Sequence, residues 1–498
     1  MSLFAPDAPW PKAAAHIDVF KIGGYQAKIA PESELRQMFT ELDRRHIALG
    51  LEIGILPRLG CGVGVEGFDG AGVLVAARRI RSFGGKLRYL SMDEPYFYGS
   101  MYTGHDACRW STPDVAAHAA KTLKAFKAEF PDVIIGDEEP LPVYIPGWLD
   151  RYRDWIGAFR ASTGADMAYF HADVQWQNGA WPRDLDTLRK MVEQQGIPVG
   201  VFYKGNSLDQ TDAEWVDQAQ KHFEQYELLS RPPAHVLFQS WEPSPQHLLP
   251  ETDAVSFTNL INRYFRPRTK LSARASRHRL EGRLTDASGK PLGDLPVSLM
   301  AAPIGEGRQP EQYTISGTVP AGATEATVGF RVNAACACSG PSDFALQTFD
   351  YQENASGGVH GHWDFSKGLE GWAVSNRDLA KVDSGSLRVS TAAGQGVTLQ
   401  SARFQVTPGA SYSLRISARV APRSIGSGFF AITYPVQKVV KLTPIDVPAT
   451  ELATTRTAAD GSYRFNLPQP SPQAGEIHIK FPGNESFWPA DMMAPSKP

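Results

Sequence analysis

The sequence predicts a multidomain chain, a (β/α)8-type barrel followed by all-β sandwich domains. Through residue 268 short apolar runs alternate with segments of helical periodicity, the pattern of βαβ units on a parallel sheet. After Arg266-Pro267-Arg268 long helices vanish, and short alternating segments broken by Gly, Ser, Thr and Pro run to the end. The 498 residues suit about three domains. An apolar fraction of 42% with 21% charged residues is enough to bury real cores.

Seven strands are expected, at His16–Ile22, Leu49–Leu56, Leu87–Met92, Asp132–Gly136, Met167–His171, Val199–Tyr203 and His235–Ser240. Their nearly continuous apolar character indicates strands covered on both faces. Helices are expected at Glu32–Arg45, Val73–Phe83, Thr112–Phe130, Gly147–Ser162, Asp184–Gln195, Ala213–Leu229 and Asp253–Phe265. Two carry capping signals, Ser111 before Thr112-Pro113-Asp114 and Thr211 three residues before Glu214. No eighth strand is visible, so it either precedes Met1 or the barrel is incomplete.

Lys and Arg number 50 against 53 Asp and Glu, a net charge of −3. That excludes a polycation built for nucleic acid and a polyanionic tail. No apolar run approaches the roughly 18 residues of a membrane span. The start, Met1-Ser2-Leu3-Phe4, has no visible signal peptide, although a secreted or periplasmic location is expected from the reading below. Of four cysteines, Cys61 and Cys108 fall in loops after strands, where a disulfide is feasible, while Cys336-x-Cys338 lacks zinc-type spacing. No metal or cofactor is expected. Gly60-Cys61-Gly62-Val63-Gly64 with Gly67 lacks the Lys-Ser/Thr of a phosphate loop and reads as a tight turn.

Barrel active sites lie at the C-terminal strand ends, which selects Asp93-Glu94-Pro95, Asp137-Glu138-Glu139-Pro140, Asp173-Val174-Gln175-Trp176, Tyr203-Lys204-Gly205-Asn206 and Gln239-Ser240-Trp241-Glu242-Pro243. Carboxylates crowd one rim with aromatics and amides between them. Glycosidic cleavage needs two carboxyl groups in unlike environments, one protonated and one ionised, and crowding raises at least one pKa. Glu94, Glu139 and Glu242, each directly before Pro, are the expected catalytic residues. Trp176 and Trp241 could stack on sugar faces. Gln175, Asn206 and Gln239 could bond hydroxyls, and Asp93, Asp137, Glu138, Asp173 and Tyr203 complete the binding set. The alternative for any single acid is a helix cap. Glu52, within the second strand, could pair with an interior Lys such as Lys21.

Glu-Pro after an apolar strand resembles the acid/base signature of clan A glycoside hydrolases, which read Asn-Glu-Pro on strand four, with a nucleophilic Glu ending strand seven. The resemblance implies that Glu139 is the acid/base and Glu242 the nucleophile, although Glu138 stands where those enzymes have Asn. If a strand precedes Met1, Asp93-Glu94-Pro95 takes the strand-four place instead. It also implies a retaining mechanism.

Downstream, Arg279-Leu280-Glu281-Gly282-Arg283-Leu284 and Ser462-Tyr463-Arg464-Phe465 resemble the opening and close of a prealbumin-like sandwich, expected over 269–302 and 448–498. Between them, 303–447 resembles jelly-roll carbohydrate-binding modules, on Trp363-Asp364-Phe365, Gly371-Trp372 and Tyr412-Ser413-Leu414-Arg415-Ile416. The stretch that usually closes such modules comes first here, so the insert is either circularly permuted or two packed half-modules. The chain is therefore expected to be a monomeric or weakly associating hydrolase of a polysaccharide or oligosaccharide. The alternatives are a non-catalytic glycan binder on a degenerate barrel and a polysaccharide lyase, for which Tyr203-Lys204 is the one hint.

Overall fold

The computed structural model describes residues 2–495, apart from 142, 144, 177–180, 207–208, 210, 243, 277–278, 302–310, 333–341, 355–356, 393–394, 421–427, 436–438, 445–449 and 467–476. Cys336 and Cys338 therefore lie outside the described residues. The chain divides into two compact units, one over residues 1–176 and 181–265 and one over 266–498.

The first unit carries seven parallel strands in sequential order: β1 (Val19–Gly23), β2 (Ala48–Ile53), β3 (Leu87–Asp93), β4 (Ile134–Leu141), β5 (Phe170–Val174), β6 (Val199–Tyr203) and β7 (His235–Phe238). A main helix follows each: α1 (Glu32–Arg44), α2 (Gly72–Ser82), α3 (Thr112–Glu129), α4 (Trp148–Thr163), α5 (Trp181–Glu193), α6 (Asp212–Leu229) and α7 (Phe257–Tyr264). Both expected caps are present. The Ser111 side chain accepts from the Asp114 amide at 3.3 Å, and Thr211 accepts from the Glu214 amide at 3.2 Å.

The sheet is curled into a barrel. Lys21 on β1 reaches Glu138 on β4 and lies 4.7 Å from the Phe202 ring centroid on β6, so side chains meet across its interior. Among the described residues no strand pairs β7 with β1. Gln239, just past β7, instead donates from Nε2 to Glu52 on β2 at 2.7 Å. The interior is tightly filled. A Cβ at Gly200 on β6 would come within 2.5 Å of the His171 ring on β5. Its absence lets His171 approach His235 on β7, with ring nitrogens 3.1 Å apart.

One boundary differs from expectation with consequences for the site. The fourth strand was expected to end at Gly136, but β4 continues to Leu141, so Asp137, Glu138 and Glu139 are strand residues. A run of acids reads as loop in sequence. Here it stays extended because strand alternation sends each acid to a face where a partner waits.

In the second unit Arg279–Asp286 lies between Thr269–Ser276 and Ser462–Asn466 in one three-stranded sheet. A four-stranded sheet joins Pro296–Ala301 to Thr450–Arg456 and Ile477–Phe481. Leu280, Leu284, Val297 and Leu299 share one core with Tyr463, Phe465, Ile479 and Phe481. Leu280 and Phe465 thus meet across 185 positions that contain the insert. The insert forms two six-stranded sheets around its own core, in which Phe330, Phe349, Leu414 and Phe430 are buried.

Cys61 and Cys108 form a disulfide that spans 47 positions, with Cα atoms 5.2 Å apart. Replacing both by Ser should lower stability by about 2–4 kcal/mol, checked by urea unfolding of the double variant. Lys21→Met would strand two carboxylates in the interior and should cost about 3 kcal/mol in the same assay.

Candidate functional site

Alternation along each strand sorts the rim residues into those facing the barrel interior and those facing the helices. Lys21 is the interior hub. Its ammonium donates to Glu52 at 2.7 Å and to Glu138. Glu138 also meets His171 Nδ1 at 3.1 Å, and His171 Nε2 continues to His235 Nδ1. Burial, then the Lys21 charge, pushes the His171 pKa well below the usual imidazole value. Neutral His171 therefore donates from Nδ1 to Glu138 and accepts at Nε2 from His235. The pairing of Glu52 with Lys21 expected from sequence is present.

Above this layer lie Asp93 at the end of β3, Asp173 on β5 and Lys204 just past β6. Lys204 pairs with Asp173 at 2.5 Å. Burial pushes the Asp93 pKa well up, and the charges of Glu52, Glu66 and Glu138 add to it while Lys21 opposes.

Glu94 is the least ordinary residue at the rim. Its backbone is left-handed, with φ 45°, a conformation that costs a non-glycine residue of order 1 kcal/mol. The residue is held there by its amide, which donates to the Glu138 carbonyl at 3.0 Å. It is 7% exposed, and no hydrogen bond to its carboxyl group is found among the described residues. Burial raises its pKa well above the usual range, and Asp173, Glu66, Asp93 and Glu139 reinforce that by repulsion.

Glu242 is half-buried beyond β7. Burial raises its pKa, Lys204 lowers it and Asp173 raises it. Asp173 is thus the shared neighbour of Glu94 and Glu242. Beside them Trp241 is 55% exposed, its ring centroid 3.7 Å from the Lys204 ammonium. The structure brings Asp173 into electrostatic reach of both Glu94 and Glu242, and Asp93 into reach of Glu94.

Other expected site residues lie elsewhere. Glu139 shares β4 with inward-facing Glu138 and so faces the other way. It is fully buried, and its two oxygens accept from the amides of Tyr96 at 2.7 Å and Phe97 at 2.9 Å, fixing the turn after Glu94. Asp137 accepts from the Trp155 indole of α4 at 2.6 Å. Trp176 is buried, donates to the Phe202 carbonyl and stacks on His222, so it offers no face to a sugar. Tyr203 donates to Glu227 at 2.8 Å, inside the sheet–helix layer. Gln239 is engaged with Glu52, Gln175 is half-buried past β5, and Asn206 is buried with its amide donating to Asp209.

Sequence reasoning missed Glu66, which is exposed on the loop after β2 and whose charge bears on Asp93 and Glu94. The glycine-rich stretch through Gly67 was the available signal, because such a loop brings its neighbours close to other backbone.

No protein-family model and no curated protein sequence matches the chain. Solved structures similar to it include an α-L-arabinofuranosidase from Thermotoga maritima, at 9% identity, TM-score 0.31, covering 82% of this chain and 89% of that one. A family 51 α-L-arabinofuranosidase from Bifidobacterium longum has 10% identity, TM-score 0.33 and coverage of 82% and 89%. A family 39 glycoside hydrolase from Bacteroides cellulosilyticus has 10% identity, TM-score 0.33 and coverage of 78% and 76%.

The raised pKa of Glu94 gives a signed prediction. Its proton-bound form stabilises the fold fully below the unfolded carboxyl pKa of about 4.3, and that contribution is lost as pH rises through the folded value. Stability should therefore fall as pH climbs from about 4.3 toward the folded value. Glu94→Gln should flatten that limb in denaturation curves collected across pH.

Proposed function

We propose that the chain is a glycoside hydrolase acting on a polysaccharide or oligosaccharide, with Glu94 as general acid and Glu242 as the ionised partner. The observation that carries this reading is Glu94 itself, a residue 7% exposed, with no hydrogen bond to its carboxyl group among the described residues, held in left-handed backbone among other carboxylates. Such surroundings favour its protonated form, which a donor to a leaving glycosidic oxygen requires. Strain of this kind persists only where the surrounding structure imposes it, and it clusters at functional sites.

Glu242 is suited to the opposite role. Burial raises its pKa, but less far than that of Glu94, because it is more open to solvent and the Lys204 ammonium opposes the rise. Trp241, 55% exposed and adjacent to Glu242 in the chain, offers a platform for a sugar ring. Glu139, although it follows the clan A pattern more closely, has both oxygens committed to the 96–97 amides and is given a positioning role. A non-catalytic glycan binder would need the platform but would gain nothing from a carboxyl held neutral. The disulfide suits an oxidising compartment, which supports a secreted or periplasmic location. We assign glycan binding to the jelly-roll-like module as part of the same proposal.

Reducing-end release across a panel of polysaccharides, followed by NMR of the product anomer, tests the reading and decides between retention and inversion. Glu94→Gln and Glu242→Gln should each lower kcat by about 10²–10⁴-fold. Activity should fall at high pH as Glu94 loses its proton and at low pH as Glu242 gains one. If the wild type binds glycans in this panel yet releases no reducing ends, the binder reading replaces this one.

A further inference from the structure

The chain as a whole carries a net charge of −3, yet residues 266–283 hold seven Lys and Arg and a single acid. Two of these, Arg266 and Arg268, are spent on contacts within the second unit, with the Asn484 carbonyl and the Trp488 ring. Lys270, Arg274, Arg279 and Arg283 stand instead on the three-stranded sheet of that unit. The inner face of this sheet is apolar, with Leu271, Leu280, Leu284, Tyr463 and Phe465 packed into one core. Strand alternation turns the intervening side chains outward, and Lys270, Arg274, Arg279, Arg283 and Arg464 are all exposed there.

The register of the sheet sets their spacing. Lys270 lies opposite Thr285, Ser272 opposite Arg283, Arg274 opposite Glu281 and Ser276 opposite Arg279. Along the strand axis the order is therefore Lys270, Arg283, Arg274, Arg279. One cation stands at each two-residue step, taken alternately from Thr269–Ser276 and Arg279–Asp286. At about 3.4 Å per residue each step is about 7 Å and the line is about 20 Å long, with neighbours offset sideways by a strand spacing of about 4.8 Å.

The line is largely uncompensated. Among the described residues the Arg274 and Arg279 side chains form no ion pair or hydrogen bond. Glu281, the one acid among the outward residues of the three strands, meets Arg464 on Ser462–Asn466, with Nε and Oε2 3.6 Å apart. Arg283 meets Asp460 at 3.3 Å, but both side chains are well exposed, so solvent screens the pair and a stronger partner can replace it. The Lys270 ammonium donates to the Ala287 carbonyl at 3.1 Å, which leaves its charge unbalanced.

Cations in line attract a partner whose anions are also in line. Three of the four are arginines, whose planar fork holds a carboxylate through two parallel N–H bonds. The other outward residues of the three strands, Glu281 and Arg464 aside, are Ser, Thr and Asn, which can bond hydroxyls. A single-stranded nucleic acid would call for aromatic rings under its bases, and a bilayer for apolar side chains to insert. Neither kind of residue is among the outward residues of these strands. We propose that this face holds a linear acidic polysaccharide, a chain of uronate-type sugars laid along the four cations. The surface belongs to the second unit, and binding there is independent of any chemistry at Glu94.

The test is calorimetric binding to the full-length protein at neutral pH and low salt. The ligands are α-1,4-galacturonate and β-1,4-mannuronate oligomers, a neutral β-1,4-glucan oligomer, a sulfated dextran, single-stranded DNA and phosphatidylglycerol vesicles. At least one uronate oligomer should bind about tenfold or more tightly than the neutral glucan, and that advantage should shrink as salt is raised. Arg274→Ser combined with Arg279→Ser should weaken uronate binding by about tenfold while the melting temperature holds, because both side chains are exposed. Lys270→Ser combined with Arg283→Ser should do the same, so the result does not hang on one variant. Glu94→Gln should bind uronate as the wild type does, which separates this face from the barrel site. The inference is overturned if no uronate oligomer binds, if the neutral glucan binds as well, or if both double variants keep the wild-type affinity. It is also overturned if sulfated dextran, DNA or the vesicles bind as tightly as the uronates, since the face would then be a general polyanion surface. Uronate binding that survives in E94Q while cleavage of every glycan is absent keeps this inference and removes the hydrolase reading.

Discussion

The Lys21 ammonium, held between Glu52 and Glu138, is the interaction on which the barrel interior depends. Three strands meet at that point, because the lysine stands on β1 and its partners on β2 and β4. Without it two carboxylates would face each other in a space lined by aromatic rings. Burial opposes the charge, but the attraction of Glu138 and Glu52 outweighs it and raises the lysine pKa, which favours the ammonium. Glu52 and Glu138 then extend the hub outward, to Gln239 on one side and to the His171–His235 pair on the other. Side chains thereby bridge the gap between β7 and the start of the sheet, where no backbone ladder is seen among the described residues.

This interior charge balance also shapes the rim. Lys21 and Lys204 are each committed below or beside the mouth, so the acids above them interact mainly with one another. Repulsion and burial act in the same direction on Asp93 and Glu94, and both favour the protonated form. Glu242 differs because it is more open and lies near Lys204. Two carboxyl groups whose pKa values are raised to unequal degrees around a shared neighbour, Asp173, are the raw material of acid–base chemistry.

Residues outside the pocket contribute by holding its backbone. Glu139 spends its carboxyl group on the amides of Tyr96 and Phe97 and so anchors the turn that follows Glu94. The Glu94 amide bonds to the Glu138 carbonyl, which ties the strained residue to the neighbouring strand. The side chain that most resembles a family signature in sequence thus supports the group beside it. Its substitution would act on geometry before chemistry.

The amino-acid sequence by itself determined the alternation of apolar strands and helices, the change of texture after Arg268, the caps at Ser111 and Thr211, and the rim on which acids gather. These properties are local or periodic, and hydrophobic patterning expresses them directly. The facing of each acid was beyond it, because a shift of one residue along an extended strand reverses the side chain's direction. That is why Glu138 and Glu139, adjacent and chemically identical, meet Lys21 in one case and two backbone amides in the other. Trp176 and Tyr203 were misplaced for the same reason, since both turn toward the helices. Glu66 entered the site only through the close packing of Gly67 on the 93–94 backbone, a contact between segments 26 or more positions apart. Tertiary structure alone decides such contacts, because they depend on how strands β2 and β3 lie side by side rather than on any local preference of the chain.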